Sequence, residues 1–138
     1  VALPGAISVG TPMFDATKTG DRFYTNEMVD NVLVSRAGFC DTATAVYVHG
    51  HDLRDPLISP VYIDIHEFPP AILTTGTHEL LLSNTVRAHR ALRAAGVEAE
   101  LEVYERQSHA KYLFDHRLPE TAVAFSAIAE SFDKDLVR

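Results

Sequence analysis

The sequence predicts an α/β fold of parallel strands joined by crossover helices, and three observations carry that prediction. A short apolar run, AILTTG at 71–76, ends in glycine and leads into a helical pattern from about Ser83 to Ala95. A run of period two, VEAELEVYE at 97–105, comes next, and a second helical pattern from about Pro119 to Val137 follows it. Strand, helix, strand and helix with short connections is the order of a parallel sheet whose crossovers pack against it.

The elements follow in order. Residues 5–15, GAISVGTPMFD, begin as a short buried strand that breaks at Thr11-Pro12, because proline removes a ladder donor and fixes its own φ. The polar stretch 16–26 is turn-rich. Thr25 or Asn26 is then placed to cap a short helix over EMVDNVLVSRAGF, where Met28, Val29, Val32 and Leu33 recur at helical spacing. A second short helix fits within 41–48. The stretch 49–70 carries four of the seven prolines and little periodicity, so it is expected to be irregular connection.

After Pro70 the pattern becomes regular. The run 71–76 reads as a fully buried strand, and Gly96 supplies the left-handed terminus of the helix after it. Val97, Ala99, Leu101 and Val103 alternate with Glu98, Glu100 and Glu102, the two-residue period of a strand with one wet face. The last helix is expected to turn Val123, Ile128 and Phe132 inward.

Composition excludes several classes of function. A chain of 138 residues, 46% hydrophobic and 22% charged, has the profile of one globular domain or a large piece of one. Its formal charge of −7 leaves no basic stripe for phosphates, so nucleic acid is not an expected partner. No run approaches membrane-spanning length. One cysteine, Cys40, supports neither a disulfide framework nor a cysteine-rich zinc site, and a reducing, cytoplasmic location fits it. The start VALPGAISVG has no basic leader and no initiator Met, and it reads as the interior of a longer protein.

The chemistry collects at the ends of the two regular strands. Ligand sites of open parallel sheets lie beyond the carboxyl ends of their strands. Glu79 follows 71–76 and His109 follows 97–105, so neighbouring strands would bring the two together. A carboxylate that accepts an imidazole N–H fixes the tautomer and stabilises the imidazolium. Acid before histidine is also the order of those hydrolytic triads in which serine comes first. Two plainer readings stand beside this one. Glu79 near a helix start is stabilised by the helix dipole whatever its role, and His109 in SHAKY could be an ordinary loop residue.

Other motifs point nowhere. His78-Glu79 begins a zinc-protease pattern, but Leu82 stands where its second histidine belongs. His49, His51 and Asp52 lie in a proline-rich loop without further ligand spacing, and no metal is expected. Tyr47, Tyr62 and Tyr104 read as packing or rim aromatics. No G-x-S-x-G nucleophile turn occurs. Its nearest approach, AISVG around Ser8, is followed by Thr11-Pro12 instead of a helix, and HGHD at 49–52 lacks the glycine run of an oxyanion-hole motif.

TGDRFYTNEMVDNVLV, HDLRDPLISPVY, FPPAILTTGTHELLLSNTVRAHRALRAAGVEAELEVYE and SHAKYLF together resemble the C-terminal part of hormone-sensitive-lipase-like α/β-hydrolases, which are serine carboxylesterases. The closest-looking members are described as acetyl-ester or monoterpene lactone hydrolases. The similarity covers nearly the whole chain, and D-P-L-x-S-P, G-x-x-[DE]-x-L and S-H in that order are more specific together than singly.

The resemblance implies that residues 1–138 are the C-terminal portion of one catalytic domain, with 25–58 as cap and connection. It places the family's catalytic acid on Glu79 and its catalytic base on His109, with Leu80 and Ala110 beside the substrate pocket. Arg54-Asp55-Pro56 and Ser59-Pro60 fall in the structural connection, and 25–48 would help cover an acyl pocket. No cofactor is implied. The implied partners are a small ester or lactone, an N-terminal half carrying the nucleophile, and a second copy through the last strand and helix. Alternating glutamates on that strand oppose such pairing unless basic residues interleave.

Three positions depart from the family pattern. Glutamate replaces the usual aspartate at 79, and Arg106 stands where glycine is frequent. The oxyanion-hole segment and the nucleophile turn would lie upstream of Val1. The alternative to an esterase part is a non-catalytic half-domain that binds or assembles through its open strand edge.

Overall fold

A computed structural model describes residues 2–136. Its centre is a three-stranded sheet in the order β1-β2-β3, with β1 at Ile7–Gly10, β2 at Ala71–Gly76 and β3 at Ala99–Tyr104. Both pairings are parallel. Ile7 stands opposite Ala71 and Ala71 opposite Ala99, and the ladder ends with Gly76 opposite Tyr104. The central strand β2 is buried along its whole length, its two threonines Thr74 and Thr75 included.

The long helix α3, Leu82–Ala94, covers one face of the sheet. Leu73, Ala88, Leu92, Val97 and Ala99 are buried together there with Ile65. Gly96 at φ +80° reverses the chain after α3, a conformation that favours a residue without Cβ. On the opposite face, α4 at Lys111–Phe114 and α5 at Pro119–Leu136 pack Tyr112 and Ala124 against Tyr104.

The buried side of α5 differs from expectation. Thr121, Ala124 and Ser131 are its buried residues, whereas Val123 is 57% exposed and Ile128 and Phe132 are half-buried. Small side chains let the helix lie close to the sheet, so the inner stripe is not the bulky one. Val137, the expected end of this helix, lies outside the described residues.

Between β1 and β2 the chain is mostly irregular, with α1 at Arg22–Thr25, a π-helical turn at Arg36–Cys40, α2 at Asp41–Val48 and a 3-10 turn at Pro60–Tyr62. The helix expected over 27–39 does not form. Asp30 Oδ1 accepts the amide hydrogens of Val32 and Leu33 at 2.9 and 3.1 Å, and Met28 and Val34 take positive φ. A short polar side chain that captures nearby amides competes directly with the helical ladder. The proline-rich connection is fixed by Ser59, whose hydroxyl donates to the Leu53 carbonyl and accepts the Ala16 amide.

Glu98, just before β3, and Glu100 within it share one lysine. Lys134 Nζ of α5 meets both Glu98 and Glu100, and those carboxylates hold its ammonium pKa above the ordinary value. The basic residue that interleaves with these glutamates therefore comes from the same chain.

Candidate active site

Glu79 and His109 meet at the carboxyl end of the sheet. β2 ends at Gly76, and the turn after it is pinned to the loop after β3 by Thr77 N–H to the Tyr104 carbonyl and His78 N–H to the Gln107 carbonyl. The approach is so close that a Cβ on Gly76 would lie 1.9 Å from the Gln107 carbonyl oxygen. Glycine here is a steric requirement.

Glu79 is fully buried. Its Oε2 accepts the Thr75 hydroxyl at 2.6 Å and the Gly76 amide at 3.3 Å, while Oε1 lies 2.8 Å from His109 Nδ1. The carboxylate thus turns back toward its own strand and the histidine, away from the first turn of α3. A buried carboxylate is tolerable only when its oxygens are satisfied, and these three donors do so. The helix-start reading of Glu79 leaves this geometry unexplained.

His109 is held through Nδ1, and among the described residues its Nε2 has no hydrogen-bond partner. Its side chain keeps 24% of its surface exposed. It borders an open cleft of about 510 Å³ with Val32, Lys111, Phe114, His116 and Arg117. Asp115, also in the wall, receives both Arg117 Nε and Nη2, and that guanidinium holds its carboxyl down to about 2. Leu80 and Ala110, expected beside a pocket, are buried and do not line this cleft. Arg106 adopts φ +61° in the loop before His109, the conformation that glycine takes most readily.

Sequence reasoning missed the residues that hold the two loops from outside. Asn26 Nδ2 donates to the carbonyls of Thr77 and Glu79 at 3.0 and 2.8 Å. Asp30 Oδ2 accepts the Leu80 amide at 3.0 Å, and Asn31 N–H donates to the Ser108 hydroxyl at 3.1 Å. The available signal was a pair of polar residues, Asp30-Asn31, inside an otherwise apolar run. His49 and His51 are exposed, and among the described residues no three metal-ligating side chains converge. No described helix is long and apolar enough to cross a membrane.

The carboxylate–histidine pair thus lies at the carboxyl end of a parallel sheet. A family model described as alpha/beta hydrolase fold matches residues 3–113, and the chain belongs to that family. Its structural relatives include esterases. The crystal structure of esterase E25 is 49% identical, superposes with a TM-score of 0.91, and is matched over 96% of this chain and 41% of its own. An esterase of the bacterial hormone-sensitive lipase family is 34% identical with a TM-score of 0.89, over 97% of this chain and 44% of its own. An esterase of Acinetobacter venetianus is 26% identical over 131 residues, 93% of this chain and 42% of the relative. The chain therefore spans about two fifths of the length of these relatives.

Proposed function

We propose that this chain contributes the acid and the base of a serine carboxylic-ester or lactone hydrolase. His109 takes the proton from a serine hydroxyl through Nε2, and Glu79 holds Nδ1–H and stabilises the imidazolium. The serine and the oxyanion donors come from polypeptide outside these 138 residues. The serine then forms an acyl-enzyme and releases the alcohol, to which His109 returns the proton. Water, deprotonated by the same Nε2, attacks the acyl carbonyl; the carboxylic acid leaves and His109 returns the proton to the serine oxygen.

The observation that carries this reading is the 2.8 Å contact between His109 Nδ1 and a fully buried Glu79. Nε2 has no hydrogen-bond partner among the described residues, and His109 borders an open cleft. Esterase relatives over nearly the whole chain support the substrate class.

The test joins this chain to the remaining part of esterase E25 and measures turnover of a short-chain p-nitrophenyl ester. The chimaera is expected to be active and the 138-residue chain alone inactive. Full activity of the chimaera after His109→Ala would overturn the assignment of the base. Turnover by the chain alone, lost on Ser8→Ala, would overturn the placement of the nucleophile outside it.

A further inference from the structure

We propose that Asp30 is a positioning residue that holds Glu79 and His109 in register through the backbone of both their loops. The proposal rests on the reading of that pair as acid and base. Asp30 is 1% exposed, and its carboxylate accepts four backbone N–H groups. Two come from its own turn, Val32 at 2.9 Å and Leu33 at 3.1 Å. The other two come from 50 and 79 residues away, Leu80 at 3.0 Å onto Oδ2 and His109 itself at 3.4 Å onto Oδ1.

The two distant donors set Asp30 apart from a residue that only shapes a turn. Val32 and Leu33 would suffice for a turn. The Leu80 N–H belongs to the peptide unit that begins at Glu79, and Asn26 Nδ2 grips the carbonyl of that same unit at 2.8 Å. One peptide group beside the acid is therefore clamped at both ends from the 26–30 segment. The same carboxylate fixes the main chain of the base, and Asn31 N–H on Ser108 Oγ adds a neighbouring tie.

Such placement has a chemical consequence. Proton transfer is steep in geometry, and an acid–base pair displaced by about 1 Å loses roughly a hundredfold in rate. Glu79 and His109 sit on separate loops, and their hydrogen bond is set by where those loops stand. A charged acceptor that binds both backbones is a rigid spacer between them.

Asp30→Asn keeps the shape but sets an amide N–H against one of the donors. The experiment follows the His109 Nδ1 proton of the 138-residue chain by NMR and measures its exchange with water. Exchange at least about tenfold faster is expected in Asp30→Asn, the factor one charge-assisted hydrogen bond supplies. Arg36→Gln is the control. It loosens the same segment at Ala16 and Asp41 and touches neither loop. Unchanged exchange in Asp30→Asn, or equal acceleration in both variants, overturns the proposal.

If Asp30→Asn does not fold, amide exchange in the unaltered chain decides. Leu80 and His109 are then expected to exchange within about threefold of Val32 and Leu33, as one opening unit, and a spread beyond about tenfold overturns the proposal. An E25 chimaera that keeps its activity without Glu79 or His109 would sink the catalytic reading and leave these exchange results standing, so the two failures are distinguishable.

Discussion

The Nδ1 of His109 lies 2.8 Å from Oε1 of Glu79, across 30 residues of chain and two different loops. Glu79→Gln replaces the acceptor by an amide that cannot stabilise an imidazolium and presents an N–H to the ring. In the E25 chimaera, kcat is expected to fall roughly 10³- to 10⁴-fold with little change in KM. Steady-state kinetics on a short-chain nitrophenyl ester check it, and a loss below tenfold contradicts the role.

Gly76 supplies a second test. A methyl group there meets the Gln107 carbonyl, which is itself engaged by the His78 amide and has little freedom to move. Gly76→Ala is expected to cost about 3 kcal/mol, the upper end of ordinary overpacking. Urea denaturation measures it, and a variant as stable as the parent would show that the two loops can part.

Arg106 tests the opposite case. Its φ of +61° costs a side-chain-bearing residue roughly 1 kcal/mol that glycine avoids, partly offset by the greater freedom of glycine in the unfolded chain. Arg106→Gly is expected to raise stability by about 0.5 kcal/mol. Its backbone N–H to Thr77 Oγ1, at 2.8 Å, is kept in the variant. A fall in the thermal midpoint would mean that the arginine side chain contributes more than its backbone strain removes.

Asp15 gives the pH dependence. Burial pushes its carboxyl pKa up, but the Thr17 hydroxyl and amide and the Arg87 guanidinium together outweigh that and leave it lowered. A lowered folded value contributes stability above the unfolded pKa of about 3.9, and the contribution is lost as pH falls through the folded value. Asp15→Asn is expected to show a shallower loss of stability below about pH 4 than the parent. Urea midpoints between pH 2.5 and 6 decide it, and parallel curves would remove Asp15 from the acid response.

The regular half of the chain was legible because local pattern and tertiary demand agree there. AILTTG is a buried strand, Gly96 closes α3, and the glutamate alternation marks β3. The 27–39 segment misled because Met28, Val29, Val32 and Leu33 imitate helical spacing while Asp30 takes the amides a helix would need. Val123 misled for a different reason: bulk does not mark the buried stripe of α5, where small residues permit close approach. Glu79 and His109 could be picked from strand ends and motif order. Asn26 and Asp30 could not, since their partners are backbone groups far along the chain.

The ties from Asp30 to Leu80 and His109 also order events in time. They close spans of 50 and 79 residues, longer than the 28 that separate Ala71 from its β3 partner Ala99 (99 − 71). Long-range closures are slow because chain entropy is lost before any contact repays it. The polar centre is therefore expected to form late, and in pulse-labelled refolding the His109 amide should gain protection after the β2–β3 ladder. A chain arrested early would carry a formed sheet and no assembled site.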